Sequence, residues 1–462
     1  MTKNLNRRRI NRRDFLKIAG GTLATAAGAS LIPRYMGKNV LKPNSIEVAN
    51  AQSDPPNMYM AGTDGWIYLP PTPPIYKADA LPGSSPPIHP DDLAPAPFNA
   101  YMFGFRNVTG LSESQRLGQK MKAQHNAPLF WVNQYDPNNP VDFRVQLTNL
   151  GLALRPDLID AHTLHWHGFR NAIPFFDGEP AGSVSVPIGR NFTYVYRPHE
   201  PGTYMYHCHV EDVEHVHMGM TGLVFVRPLQ DGQNIGGFTK FAYNCGDGST
   251  GFDREFAIFL SEFWAESHWA DSHIQLPEWS DYKPDFYMLN GRVYPDTLES
   301  NAPINEAASI NFLAVETDAN GDLMPPPGRP DLQYQPHSSL VTCNAGERIL
   351  LRFANLGFEK ESMSLAGIDM KVVGKDATLL RGRDGADFSY TTNTIPIGPG
   401  ESYDVTFEAP AYQGPGPYDT YLLYNRNYRG SNNLDGSGYG GQMTEVRVYP
   451  AGTLGTQSLP NT

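Results

Sequence analysis

Cysteine is scarce, 3 residues in 462, and charged residues make up only 18% of the chain. Three cysteines exclude a disulfide scaffold. Basic residues are outnumbered, 36 Lys and Arg against 48 Asp and Glu, and the formal charge of -12 excludes a nucleic-acid partner held by phosphate contacts. The weakly apolar run over residues 18–32 is short, rich in Ala and Gly and followed by polar sequence, so it does not fit a membrane-spanning helix. What is abundant is glycine and proline, 44 and 40 residues, too many for a helical bundle and without the G-X-Y period of collagen. With 11% aromatics for buried cores, the composition favours a loop-rich all-β architecture, and the length suggests two or three domains.

The N-terminus carries a basic head, Lys3, Arg7, Arg8, Arg9, Arg12 and Arg13, ahead of that run, the pattern of an export signal. Asn11-Arg12-Arg13-Asp14-Phe15-Leu16-Lys17 resembles the twin-arginine export motif, with Asn11 where Ser or Thr is usual. A small-x-small site at Ala49-Asn50-Ala51 places cleavage before Gln52. The resemblance implies a periplasmic or extracellular protein exported already folded, a route that suits a prosthetic group. Removal of residues 1–51 leaves 26 basic and 46 acidic residues, a formal charge of -20 that favours cationic partners, metal ions included.

Residues 52–97 are expected to form a leader strap, because twelve prolines fall between 53 and 97 in segments such as Pro70-Pro71-Thr72-Pro73-Pro74. Short strand-like runs follow at 128–132, 141–147, 191–196, 203–206 and 222–226, a spacing that suits a sandwich or barrel. A Gly-rich join near 231–237 precedes further runs at 255–260, 348–353, 403–407 and 421–424. Two β domains are expected, 98–230 and 238–452, with residues 266–285 as an insertion in the second.

Seven of the 13 histidines fall in two clusters: His162, His165 and His167, then His207, His209, His215 and His217. Side chains alternate faces along a strand, so His165 and His167 share a face, His207 and His209 share a face, and Cys208 points the other way with His162. Cys208, His162, His215 and a methionine, Met220 or Met218, would surround one metal. His165, His167, His207 and His209 would surround another. Two imidazoles, a thiolate and a thioether select copper of the blue type, whereas zinc prefers more thiolates or a closed tetrahedral set. The all-imidazole set suits copper that binds oxygen or another small oxidant. Cys208 is flanked in the chain by members of the other set, so one residue of backbone joins the two sites. His217 either replaces His215 or faces solvent, and the latter is favoured.

At these residues the chain resembles the multicopper oxidases, laccase-like cupredoxin proteins. His165-Trp166-His167-Gly168, Asp177-Gly178, Phe192-Thr193-Tyr194, Pro201-Gly202-Thr203-Tyr204 and His207-Cys208-His209 stand in the family's order. The resemblance implies two tandem cupredoxin-like Greek-key β-sandwich or barrel domains. It implies a type 1 copper bound by His162, Cys208, His215 and Met220, with His165 as type 2 ligand and His167, His207 and His209 as type 3 ligands. His215 lies seven residues after Cys208, where the family has five. Cys208 would be catalytic, and Asp177 would relay protons or simply make an Asp-Gly turn.

In the second domain, Ser364-Leu365-Ala366-Gly367 stands where a copper-bearing domain carries HxHG, and Tyr424-Asn425-Arg426-Asn427 is expected at the YHCH position. That domain therefore lacks copper ligands, and the four imidazoles of the first must bind a reduced site or be completed across a homo-oligomer or by another protein. The function expected is a copper oxidoreductase that oxidises a small-molecule, metal-ion or protein reductant, the alternative being a blue-copper electron carrier. Cys245 and Cys343, both in the second domain, are free to pair in an oxidising compartment.

Overall fold

The computed structural model describes residues 54–77, 86–434 and 438–462, and the compact unit from Pro56 to Thr462 holds all the structure below. The expected export signal and the expected cleavage site lie outside the described residues. The chain is built from β1 (Met58–Ile67), β2 (Ala100–Asn107), β3 (Phe130–Asn133), β4 (Phe143–Gly151), β5 (His165–His167), β6 (Asn191–Tyr196), β7 (Gly202–His207) and β8 (Thr221–Arg227) in its first half. The second half adds β9 (Arg254–Phe263), β10 (Phe286–Leu289), β11 (Val341–Asn344), β12 (Arg348–Asn355), β13 (Glu361–Leu365), β14 (Met370–Lys375), β15 (Thr378–Leu379), β16 (Tyr390–Thr392), β17 (Thr394–Ile397), β18 (Ser402–Glu408), β19 (Asp419–Asn425) and β20 (Met443–Tyr449). Among the described residues, three short α-helices stand between strands: α1 (Glu113–Leu117), α2 (Asp212–His217) and α3 (Ala265–Ser272).

Four sheets result. Orders β2-β1-β4-β6 and β3-β8-β7-β5 belong to the first half, and β10-β9-β12-β18-β14-β15 and β11-β20-β19-β13-β17 to the second, with β16 added on β14. Each pair of sheets encloses its own core, aromatic in the first (Phe103, Phe130, Trp166, Tyr194, Tyr196, Tyr206) and aliphatic in the second. The expected leader does not hold over residues 58–67. They form β1, hydrogen-bonded to β2 and parallel to β4, so the first sandwich starts forty residues before the expected boundary at 98. Gly62 and Gly65, which obscure the strand in sequence, are needed for close approach: a Cβ at Gly62 would lie 2.7 Å from His162 Cδ2, and one at Gly65 2.9 Å from the Ala123 nitrogen.

The cysteines of the second half do not pair. Cys245 and Cys343 are both free thiols, Cys245 donating to the Asp247 carbonyl and Cys343 buried in β11.

The two sandwiches are joined by an apolar seam, with Trp131, Leu223 and Phe225 against Ala257, Phe259 and Ala354, and by a buried polar network. Arg352 donates to Glu255 at 3.1 Å and to Asp404 at 3.2 Å, and Asp404 also accepts from Thr203 Oγ1 at 2.5 Å and Tyr243 Oη at 2.6 Å. Thr203, Arg352 and Asp404 are all fully enclosed. Because breaking one partner of such a network leaves a buried charge uncompensated, Asp404→Ala should destabilise the protein by about 3–5 kcal/mol, read as a lowered urea midpoint. An unchanged midpoint would remove the network from the account of stability.

A second buried network closes one end of the second sandwich. Asn425 donates its amide to Glu361 and to Gln442 Oε1 (2.8 Å), while Glu262 accepts from Tyr282 and from the Phe358 and Glu359 nitrogens. Burial, reinforced by Glu262 and Glu359, pushes the Glu361 carboxyl up to about 8. A carboxyl raised on folding binds its proton more tightly in the native state, so its stability contribution is full below the unfolded value near 4.5 and is lost as pH rises through about 8. Glu361→Gln should therefore flatten a decline of up to about 1.4 kcal/mol per pH unit between those values, measured as urea midpoints at a series of pH values.

Candidate metal centres

The site is built on one antiparallel strand pair. β5 and β7 place His165 opposite His207, Trp166 opposite Tyr206 and His167 opposite Met205. Trp166 and Tyr206 point inward, Trp166 stacking on Tyr196 with ring centroids 4.2 Å apart, so the histidines between them take the other face. Cys208, one residue past β7, shares the inward face of Tyr206 and is fully buried. The flanks are fastened: the Thr163 nitrogen donates to Cys208 Sγ at 3.4 Å, and the His209 nitrogen to Thr163 Oγ1 at 2.8 Å.

On the inward side, potential ligand atoms of His162, Cys208 and His215 lie within 4.8 Å of one another. Cys208 Sγ is 3.3 Å from His215 Nδ1 and 4.0 Å from His162 Nδ1. The long spacing from Cys208 to His215 is absorbed by α2, which starts after Glu211 in a left-handed conformation (φ 47°) and carries His215 back over the thiol. The chain then returns, with Met220 N bonded to the His215 carbonyl and Cys208 N to the Met220 carbonyl. A Cβ at Gly62 would meet both His162 and Met220 Cε (3.2 Å), so Met220 flanks His162, whereas Met218 turns its sulfur to Ser267 Oγ at 3.6 Å.

The electrostatics match a cation. Burial alone would raise the Cys208 thiol, but the His215 and His162 imidazoles outweigh it and hold the group well below its ordinary value. Burial likewise opposes charge on His215, yet Cys208 and Asp160, whose Oδ2 lies 3.6 Å from His215 Nε2, raise it. A buried thiolate with two imidazoles and an adjacent thioether fits copper of the blue type better than zinc. Asp160 is a partner that spacing in the sequence did not reveal.

On the opposite face, potential ligand atoms of His165, His167 and His207 also lie within 4.8 Å of one another, and the His209 ring centroid is 5.0 Å from that of His165. His165 Nδ1 donates to the Asp177 carbonyl at 2.6 Å and His207 Nδ1 to the Cys208 carbonyl at 2.8 Å, which leaves Nε2 of each as a lone pair. Burial, with the neighbouring histidines adding to it, lowers His165 and His167 and brings His207 down to about 3, so these rings are neutral donors at neutral pH. Such a set suits copper. Asp177 caps the short turn before Gly178 and brings its carboxylate to 3.6 Å from His165 Nδ1.

His217 corrects the sequence expectation of a solvent-facing residue. It is buried, its Nε2 accepts from the Trp264 nitrogen at 3.2 Å, and its ring is surrounded by His268, Trp279, Tyr282 and Phe358. A third set missed in sequence, Asp91, Asp92 and His273, is brought together across more than 180 residues, with His273 Nε2 paired to Asp92 at 3.0 Å.

The second sandwich repeats the frame without the ligands. Ser364 pairs with Tyr424 as His165 pairs with His207, and the Ser362 nitrogen donates to Asn425 Oδ1 as the Thr163 nitrogen does to Cys208 Sγ. Ser364 Oγ bonds to the Asn393 carbonyl as His165 does to that of Asp177, and Gly367 has the φ of Gly168, 77° against 78°. Asn425 therefore occupies the place of Cys208, one residue earlier than the YHCH motif put it. Glu361 stands for His162, Gln442 for Met220, and Ser364, Ala366, Tyr424 and Arg426 for the four outward histidines.

Profiles of the multicopper oxidases match residues 119–231 and 254–449, about two thirds of the chain. Laccase-1 of Cryptococcus neoformans var. neoformans is 26% identical over 254 residues, 53% of this chain and 33% of that protein. Putative laccase-17 of Oryza sativa subsp. japonica is 26% identical over 263 residues, 55% of this chain and 36% of that protein. The chain thus spans about a third of the length of these curated relatives. The blue copper oxidase from Nitrosomonas europaea superposes with a TM-score of 0.52 at 20% identity, covering 84% of this chain and 85% of that one, which establishes a shared cupredoxin fold. With both profiles in register on its two sandwiches, the chain belongs to the multicopper oxidase family.

Proposed function

We propose that this chain is an exported copper oxidoreductase that couples one-electron oxidation of a reductant to reduction of oxygen, or a related small acceptor such as nitrite. The reading is carried by one observation: Cys208 belongs to the inward donor set while His207 and His209, its neighbours in the chain, belong to the outward one. His162, Cys208, His215 and Met220 would hold a type 1 copper, His165 a type 2 copper, and His167, His207 and His209 type 3 copper. Copper, when bound, supplies the one-electron couple at the first set and the affinity for a small oxidant at the second.

The protein's own groups prepare both. Asp160 orients His215, the Asp177 and Cys208 carbonyls fix the tautomers of His165 and His207, and the partly exposed Asp177 carboxylate stands where it can hold a proton beside His165. The reductant is a small molecule, a metal ion or a redox protein. The twin-arginine-like segment at residues 11–17 supports export to the periplasm or beyond, and pooling of outward sets in a homo-oligomer would enlarge the second site.

A second reading, a blue-copper electron carrier, is favoured by Ser364, Ala366, Tyr424 and Arg426 standing where a second set of imidazoles would be needed. Copper quantification of the native protein with an oxygen electrode separates the two. More than one copper per chain with oxygen uptake is expected, and a single blue copper without uptake would establish the carrier. Cys208→Ser should abolish the blue absorption and turnover together while the four outward histidines keep their copper. Turnover retained in that variant would overturn the mechanism.

A further inference from the structure

A cluster of aromatic rings lies behind α2. His217, two residues past His215 on that helix, has its ring centroid 5.3 Å from that of Tyr282, 5.6 Å from Trp279 and 5.5 Å from Phe358. Trp264 stands 5.7 Å from both Trp279 and Tyr282, with its ring steeply inclined to each. Trp264 is buried, while Trp279 and Tyr282 are half-buried at the surface of the second sandwich. A continuous run of rings thus leads from solvent to the helix that carries His215.

Packing accounts for rings in contact, but not for the partner of the Tyr282 hydroxyl. It donates to the buried Glu262, whose carboxyl also accepts from the Phe358 nitrogen at 2.7 Å and the Glu359 nitrogen at 2.9 Å. Two of these three donors are backbone amides, so the phenol is the one whose proton can move. Tyrosine keeps its proton at neutral pH, and a phenol that loses an electron becomes a strong acid. Its oxidation is therefore favoured where a base already accepts the hydroxyl hydrogen. Glu262 is such a base, in hydrogen-bond contact and shielded from water.

We propose that Tyr282 is a one-electron relay between the protein surface and the inward donor set, with Glu262 as its proton acceptor. The electron acceptor is an oxidised copper held by the Cys208 set. Tyr282 gives up one electron by way of His217, its O–H bond breaks, and the proton passes to Glu262. A neutral tyrosyl radical and a protonated Glu262 result. An electron from the reductant, arriving at Trp279 or at Tyr282 itself, then reforms the phenol as Glu262 returns the proton. One electron crosses to the inward set and no net proton moves. The delivery rests on the reading of the inward donors as a copper centre, whereas the oxidation of Tyr282 into Glu262 is a property of the metal-free protein.

The metal-free protein tests the tyrosine. Photogenerated tris(bipyridine)ruthenium(III) supplies the oxidant, and the hole settles on the aromatic side chain of lowest potential, read as a tyrosyl signal in electron paramagnetic resonance. Most of that signal should vanish in Tyr282→Phe and persist in Tyr439→Phe, whose ring is 72% exposed. An equal signal in wild type and Tyr282→Phe overturns the proposal. Glu262→Gln keeps an acceptor oxygen but is a far weaker base, and should slow radical formation by about 100-fold. In wild type the rate should also be independent of the concentration of buffer base, a check that needs no variant at Glu262. A rate that rises with buffer base removes Glu262 as the acceptor. In the copper-loaded protein, Tyr282→Phe should slow the bleaching of the blue absorption by hexaammineruthenium(II), and equal rates overturn the relay. Wild-type protein with no blue absorption overturns the copper reading instead, and leaves the radical result standing.

Discussion

The chemistry available to this molecule depends on the two-residue period of a single strand pair. β5 and β7 are short, yet their pairing decides which donors meet: Trp166 and Tyr206 are committed to the core, so His165, His167 and His207 must face outward and Cys208 inward. A slip of one residue would exchange the faces and mix thiolate with the wrong imidazoles. The register is pinned from both sides of the sheet. Trp166 stacks on Tyr196, and the Thr163 nitrogen and hydroxyl tie the segment before β5 to Cys208 and His209. The same few bonds that keep the core packed therefore keep the two donor sets apart by one residue of backbone.

The second sandwich shows that this frame survives without metal. There the position of Cys208 is held by Asn425, whose amide donates to Glu361 and Gln442, the residues standing for His162 and Met220. A neutral amide with two donors supplies the convergence that a cation would supply in the first sandwich, and the network closes through Glu262 and Tyr282. Buried polar groups are tolerated when each finds a partner, so loss of ligands need not unfold a sandwich whose sheets are otherwise intact.

Much of this was legible in the sequence because strands announce themselves by alternation. The runs at 191–196, 203–206, 222–226, 255–260, 348–353, 403–407 and 421–424 all lie within strands, and the two histidine clusters face as parity requires. What was hidden has physical causes. β1 carries Gly62 and Gly65 because His162 and the Ala123 backbone press on them, and those glycines together with nearby prolines mimic a linker. His217 looked free because the helical turn of α2, which rescues the long Cys208 to His215 spacing, also swings it inward to Trp264. The misplacement of Asn425 by one residue is the kind of error that only pairing register resolves. Asp160 carries no local signal, since its place beside His215 exists only once separate segments meet.

The distant segments share a direction. His215 rides on α2, and α2 and the residue after it are buttressed by Trp264 and the insertion at 266–285: Ser267 bonds to Met218, the Trp264 nitrogen to His217, and Asp271 receives Arg155, which in turn holds Asp157. His167 leans on the turn at 398–401. Each donor set thus has one member braced by the second sandwich, and the brace is anchored by the enclosed Arg352, Asp404 and Thr203 network between the halves. A metal-free domain retained in such a protein is then explained by rigidity. Donors set outside the strands, as His162 and His215 are, hold their geometry only when something stiff stands behind them, and behind α2 and His215 that is the second sandwich.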